Sequence, residues 1–468
     1  MGGEDQAGAD RGAAERRLEE IAFDPADAKA ALRQLPQRPA VFALYGADAH
    51  AEPYIGRTPN LRARLERLLQ PSAKHPRRLQ LAGRVRRIAW HLTGSEFESL
   101  LLQFELLEKV YGAKSLERMH LRAPAFVRFL GSNRYPRIVV THRPSQREGE
   151  WAYGPFSSRA AAERYADEAL KLFLLRRCTD DLDPNPSHPG CVYSEMKMFL
   201  APCYQGCTDE RYSEEAAAVE SFLATRGESR LVVLRTERDE ASASLEFEAA
   251  AALHAQVQKV EAVRALASEL VRPLSRLRAV VLQAATSPDE VAVFLFENAQ
   301  LRGPAVFSTL GMRIQNEQSG STSLFAQPMG IEPVVEEQRL GIREEGSGNE
   351  NTRNREQGLG ISKSGEGECK AGAGAGLEGG VPAPVKVARG VLEARMEGVL
   401  ESLTDSAGMP SATVRQAHLA LLKRWYYRPE AKRTGEVFFR DGEGGWPIKA
   451  LLRGAGRVAA RMLAPAGE

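Results

Sequence analysis

The sequence predicts an α+β chain assembled from several small modules. Three observations lead there. A length of 468 residues exceeds what one ordinary core organises. Short β-like runs alternate with amphipathic helical ones over most of the chain. One long stretch towards the C-terminal end, about 326–384, has no aromatic residue and is full of Gly, Glu, Ser, Asn and Arg. Hydrophobic residues make up 43% and charged residues 26%, the balance of a globular protein.

The elements follow in order. Residues 1–34, rich in Ala, Glu and Arg, read as a flexible N-terminal tail. Residues 35–115 read as a small α/β unit: PAVFALYG and AEPYIG are β-like, and TPNLRARLERLL is a helix with Thr58 as N-cap, Pro59 in the first turn and a Leu61, Leu65, Leu68 stripe. RVRRIAWHL then reads as a strand and SEFESLLLQFELLEKVYG as a helix, whose Ser95 and Glu98 form an S-x-x-E capping box. Residues 116–215 hold YPRIVVTHR, the turn-rich YGPFSSR, the helix AAAERYADEALKLFLL and four cysteines. Residues 216–270 are helical, with Leu245, Leu253, Val257 and Val260 at helical spacing. In 271–312, LRAVVLQAA and EVAVFLFEN joined by TSPD read as a hairpin. Residues 313–385 are full of Gly, Glu, Ser, Asn and Arg and read as a disordered linker. Residues 386–468 are helix-rich again and contain RWYYRPEAKRTGEVFF. Its interleaved basic and aromatic residues suit stacking on bases and pairing with phosphates, or equally an aromatic core.

A formal net charge of +2 says little, but its distribution says more. Between Arg57 and Arg87 there are ten Lys or Arg residues against one acid, Glu66. Such a run is a solvated surface or the footprint of a phosphate backbone. No secretory h-region opens the chain and no run is long and apolar enough to span a bilayer, so a cytoplasmic protein without membrane contact is expected.

Phosphodiester hydrolysis needs a group to activate water, cations against the charge that builds on the phosphoryl oxygens, and usually a metal held by a carboxylate. Tyr54, Arg57, Arg64 and Glu98 are residue types fit for those roles, while a half-buried strand aromatic, two surface cations and a helix cap are the purely structural alternatives. Their order along the chain resembles the GIY-YIG nuclease family, and within it the N-terminal part of the UvrC-type excinuclease subunits. That pattern runs P-G-V-Y, then Y-[IV]-G-[KR], N-L-x-x-R and T-x-[ST]-E-x-E-A-L-L-L-E. Here stand Pro39-Ala40-Val41-Phe42, Tyr54-Ile55-Gly56-Arg57, Asn60-Leu61-Arg62-Ala63-Arg64 and Thr93-Gly94-Ser95-Glu96-Phe97-Glu98-Ser99-Leu100-Leu101-Leu102. The likeness continues through Tyr135-Pro136, Tyr153-Gly154-Pro155-Phe156, Leu200-Ala201-Pro202-Cys203 and Leu245-Glu246-Phe247-Glu248, covering roughly residues 36–310. The departures are Phe42 and Leu68 for tyrosines, Ala40 for a glycine, and LRAPAF at 121–126 as the remnant of a P-x-Y-N element.

By that resemblance Tyr54 is a general base, Arg57 and Arg64 neutralise the scissile phosphate, and Glu98 holds one Mg2+ or Mn2+. Arg57, Arg62, Arg67, Arg77 and Arg78 would contact DNA. Cys178, Cys191, Cys203 and Cys207, spaced C-x12-C-x11-C-x3-C, match a region that in the family is implicated in holding a [4Fe-4S] cluster, with zinc as the alternative. The family's fourth cysteine position is Phe199 here, so Cys207 would substitute, and Cys369 has no evident partner. Leu245, Phe247 and Leu253 would dock a UVR helical hairpin onto a UvrB-like helicase. No carboxylate-rich second nuclease motif and no Gly-rich hairpin signature follows. The function implied is a metal-dependent single-strand incision of damaged double-stranded DNA in nucleotide excision repair. The alternative is a catalytically degenerate adaptor that binds DNA and UvrB.

Overall fold

The structure, a computed structural model, describes residues 17–48, 50–69, 81, 83–144, 150–178, 182–312, 388–404, 410–440 and 444–463. The N-terminal domain is a four-stranded antiparallel sheet, ordered β1-β4-β2-β3, flanked by helices. Its elements are β1 (Glu19–Ala22), α1 (Ala28–Arg33), β2 (Ala40–Gly46), β3 (Tyr54–Thr58), α2 (Leu61–Leu69), β4 (Val85–Leu92), α3 (Glu96–Tyr111) and α4 (Ser115–Arg118). Part of the stretch expected as a tail is folded: β1 pairs with β4, and Leu32 of α1 is fully buried. Central β2 is apolar on both faces, as AVFALYG dictates, and its alternate residues Ala40, Phe42 and Leu44 join Leu61 and Leu65 in one core.

Two details of α2 differ from the expected ones. Asn60, not Thr58, caps the helix, its Oδ1 accepting the Ala63 N–H at 3.0 Å, because Thr58 is still the last residue of β3. The fully buried stripe is Leu61, Leu65 and Leu69, with Leu68 half-buried beside it. In α3, Ser95 caps as expected, accepting the Glu98 N–H at 3.1 Å.

The middle domain has the sheet order β6-β5-β7-β8, from β5 (Ala125–Leu130), β6 (Arg137–Thr141), β7 (Glu150–Phe156) and β8 (Arg272–Pro273). LRAPAF, expected as a P-x-Y-N remnant, runs into β5, a strand flanked on both sides, and YGPF ends β7 rather than forming a turn. Helices α5 (Arg159–Leu170), α6 (Val192–Glu195) and α7 (Asp209–Ala224) follow. Helices α8 (Glu228–Ala243) and α9 (Phe247–Ala265) then make a hairpin. Tyr153, Tyr165, Tyr212, Phe222, Leu231 and Val260 share the core of this part.

The third sheet joins distant sequence. β9 (Ala279–Ala284) and β10 (Glu290–Glu297) form the expected hairpin, but β11 (Gln300–Ser308) adds a third strand and β12 (Glu436–Phe439) pairs with β9 from the far end of the chain. Residues 386–468 are therefore not helices alone: α10 (Arg389–Thr404), α11 (Ala412–Tyr426) and α12 (Ile448–Leu463) cover this sheet. Its period of two explains the arrangement. Val280, Leu282, Val291 and Val293 face α10 and α12, while Ala279, Val281, Ala292 and Phe294 face α3 and α11. Strands buried on both faces read as unbroken apolar runs, as AVVL and VAVFLF do.

RWYYRPEAKRTGEVFF is part of this packing and not a free stacking surface. Trp425 is 2% exposed, lies 5.4 Å from Phe97 between ring centroids, and donates its indole N–H to the Thr434 carbonyl at 3.0 Å. The hydroxyl of Tyr427 donates to the Pro155 carbonyl at 3.0 Å. An aromatic whose polar tip finds a partner inside the protein is a core residue. The expected linker, 313–385, and Cys369 within it lie outside the described residues.

Candidate functional site

A groove of about 490 Å³ opens along the edge strand β3. Tyr54, Arg57 and Arg64 all line it, so three of the four expected site residues meet. β3 carries the first two and the first turns of α2 carry the third. Gly56 makes the strand fit: a Cβ there would lie 2.9 Å from Cζ of Phe42, whose ring covers the strand and also lines the groove. Ala40 is buried in β2 and is not among the residues with positive φ, so the glycine usual at its position is not needed here for backbone freedom.

Glu98 is elsewhere. It is 4% exposed, and its Oε2 accepts the Gly94 N–H at 2.8 Å. It holds the loop before α3 together with Thr93 and Ser99, whose hydroxyls lie 2.6 Å apart. The α3 residues that line the groove are Leu100 and Gln103. Five residues separate Glu98 from Gln103, about 140° around a helix, so the two side chains leave α3 on different sides. The sequence held a signal for this. Laid on T-x-[ST]-E-x-E-A-L-L-L-E from Thr93, the final glutamate of the pattern falls on Gln103.

The groove is strongly cationic. Arg118 and Arg424 also line it, which makes four guanidiniums with Arg57 and Arg64. Arg118 is fixed over the ring of Tyr111, 3.6 Å from its centroid, and pairs with Glu52 at 3.1 Å. Arg57 pairs with Glu96 at 3.2 Å. Arg428 takes the same carboxylate with two hydrogen bonds of 2.7 and 2.8 Å. Those bonds chiefly hold the Glu96 carboxyl down at about 2, against the pull of burial and with help from Arg57. Among the described residues, Arg64 and Arg424 make no ion pair.

Mg2+ and Mn2+, the ions expected here, take hard oxygen ligands, carboxylates above all. The described lining offers a tyrosine hydroxyl, a glutamine amide and four guanidinium groups, and no carboxylate. Those residues do not fit a divalent cation. They fit an anion with several acceptor oxygens, which arginine forks bind well.

The other expected residues are dispersed. Arg62 donates to the Leu35 carbonyl at 2.7 Å and Arg67 to the Ala63 carbonyl at 3.2 Å, so both side chains lie along their own domain. Arg77 and Arg78 lie outside the described residues. Cys203 is buried, which raises its thiol pKa, while Cys178, Cys191 and Cys207 are half-buried. Among the described residues no group of three or more His, Cys, Asp or Glu side chains is placed to hold a metal. Arg176 donates to the Cys178 sulfur at 3.5 Å, and the Cys191 N–H donates to the Ser194 hydroxyl at 2.7 Å as the start of α6. At the tip of the α8–α9 hairpin, Leu245 and Phe247 are 71% and 66% exposed, whereas Leu253 packs against the hairpin's own core. No helix among the described residues is long and apolar enough to cross a membrane.

Comparison with known proteins agrees with this domain order. A family model described as the UvrC-like GIY-YIG domain matches residues 38–111, and one described as the UvrC/Cho excinuclease middle domain matches 126–222. The UvrABC system protein C of Alcanivorax borkumensis is 30% identical over 242 residues, 52% of this chain and 39% of that protein. That of Ruminiclostridium cellulolyticum is 27% identical over 281 residues, 59% of this chain and 45% of the relative. That of Aliivibrio fischeri is 26% identical over 239 residues, 51% and 39% respectively. The chain therefore spans less than half the length of these curated relatives. No solved structure matches. From its N-terminal domain through its middle domain, the chain is similar to the UvrC-type excinuclease subunits.

Proposed function

We propose that this chain works in nucleotide excision repair as a UvrC-type protein whose GIY-YIG groove grips a phosphate of damaged double-stranded DNA without cutting it. One observation carries the reading. Tyr54, Arg57 and Arg64 converge with two further arginines, while the polar α3 residue facing them is Gln103. Cations around an anion supply binding; a carboxylate to hold the metal is what hydrolysis would add. The relatives' name, UvrABC system protein C, supports a place beside a UvrB-like helicase. The exposed Leu245 and Phe247 at the hairpin tip are the side chains offered for it. In this role the protein is the DNA- and UvrB-binding adaptor.

A second reading is a working endonuclease that makes one metal-dependent incision. The retained trio of Tyr54, Arg57 and Arg64 in one groove favours it. A nicking assay on a damaged duplex, with the UvrB-like partner and either Mg2+ or Mn2+, separates the two. Binding without nicks supports the adaptor; metal-dependent nicks that disappear in Tyr54→Phe support the nuclease. For the cysteines we propose no more than the expectation already stated, a thiolate-held cluster or zinc, to be decided by metal analysis of anaerobically purified protein.

A further inference from the structure

The groove contains a residue that the N-terminal domain does not own. Arg424 lies on α11, yet it lines the groove with Tyr54, Arg57 and Arg64. We propose that α11 supplies Arg424 as a ligand for the same DNA phosphate, so that the site is composite and complete only with the C-terminal segment docked. The proposal rests on the phosphate-binding reading of the groove.

Two features fix Arg424 in place while leaving its charge available. The next residue, Trp425, is buried against Phe97 of α3. One turn on, Arg428 is clamped by both oxygens of Glu96 at the start of α3. Arg424 thus sits just before two residues anchored to the helix that forms the groove wall. Its own side chain is exposed and, among the described residues, unpaired. A purely structural arginine at this junction would be expected to look like Arg428, spent on a carboxylate. Arg424 is not spent.

The groove's own cations set the field. Four guanidiniums lining one cleft cost free energy in the unbound protein, and the cost is relieved when an anion arrives between them. The chemistry of the ligand follows: a phosphodiester oxygen pair, bridged by guanidinium forks from both the N-terminal domain and α11.

The test uses the full chain and a fluorescein-labelled duplex, with anisotropy read over a range of salt concentrations and no divalent metal. Three variants are compared: Arg424→Gln, Arg64→Gln, and Arg453→Gln, a surface charge on α12 away from the groove. Arg424→Gln is expected to weaken binding about fivefold to tenfold and to lower the slope of log affinity against log salt by about one, the signature of one lost phosphate contact. Arg64→Gln should do the same and Arg453→Gln neither. Circular dichroism and melting temperature should stay at wild-type values for Arg424→Gln, since the side chain is exposed. If Arg64→Gln weakens binding while Arg424→Gln behaves like Arg453→Gln, the composite site is wrong and the phosphate reading stands. If neither groove variant moves affinity or slope, both are wrong.

Discussion

Arg428 holds Glu96 by two hydrogen bonds, of 2.7 and 2.8 Å, across a separation of 332 residues. Arg57 takes the same carboxylate at 3.2 Å, so one acid ties a groove arginine to the C-terminal segment. The pair lies beside the Phe97 and Trp425 contact that closes the two parts together.

Glu96 should make that junction acid-sensitive. Its carboxyl is held at about 2, below the usual 4.5, so the folded state binds the proton less readily than the unfolded one. The stabilisation is fully present above about pH 4.5 and is lost as pH falls towards 2. The side chain is 41% exposed, so screening limits the gain to about 1 kcal/mol. Thermal melts of wild type and Glu96→Gln should differ at pH 7 and converge towards pH 2. An undiminished gap at the acid end would mean that the substitution acts through something other than this carboxylate.

Gln103→Glu tests what the groove lacks. It places a carboxylate on the α3 face that already meets Tyr54, Arg57 and Arg64. With Mn2+ the variant should nick a damaged duplex that wild type only binds, and the gain should vanish when Arg64→Ala is added, a loss of roughly 3 to 4 kcal/mol in transition-state stabilisation. Wild-type nicking equal to that of the variant would return the groove to the nuclease reading.

The hairpin tip separates docking from folding. Phe247 is 66% exposed, so Phe247→Ala should leave the melting temperature within a degree or two. As a central anchor it should nevertheless cost about 2 to 4 kcal/mol of UvrB affinity. Leu253 packs on its own core, so Leu253→Ala should show the reverse pattern, a lower melting temperature with a smaller effect on docking. Calorimetric titration with the helicase reads the difference, and equal binding by Phe247→Ala would move the docking surface elsewhere.

Gly94 sits where the loop before α3 meets the turn after β9. A Cβ there would run into the backbone of Ala284 and Ala285, which cannot swing aside as a side chain can. Gly94→Ala should therefore destabilise by about 1 to 3 kcal/mol through overpacking. Chemical denaturation would show it as a lower midpoint, and an unchanged midpoint would mean that the loop shifts freely.

By itself the sequence determined the local chemistry and the order of parts. The apolar runs AVFALYG and VAVFLF form strands because backbone pairing and two-sided burial leave them few alternatives. Ser95 caps α3 because its hydroxyl reaches the Glu98 N–H within one turn. Tyr54, Arg57 and Arg64 meet because strand and helix are joined by only two residues. Beyond the last position of the family pattern, which falls on Gln103, the tertiary structure decided what lies across the groove. Whether Glu98 or Gln103 faces it depends on how α3 is rotated, and that is set by Phe97, Leu101 and Phe104 packing against β10 and α11. The fate of the aromatic cluster around Trp425 was hidden for the same reason: a basic and aromatic segment reads alike on a surface or in a core until its partner is known. The placement of Arg424 beside Arg64, and of β12 beside β9, depends on contacts across hundreds of residues, for which no local pattern exists.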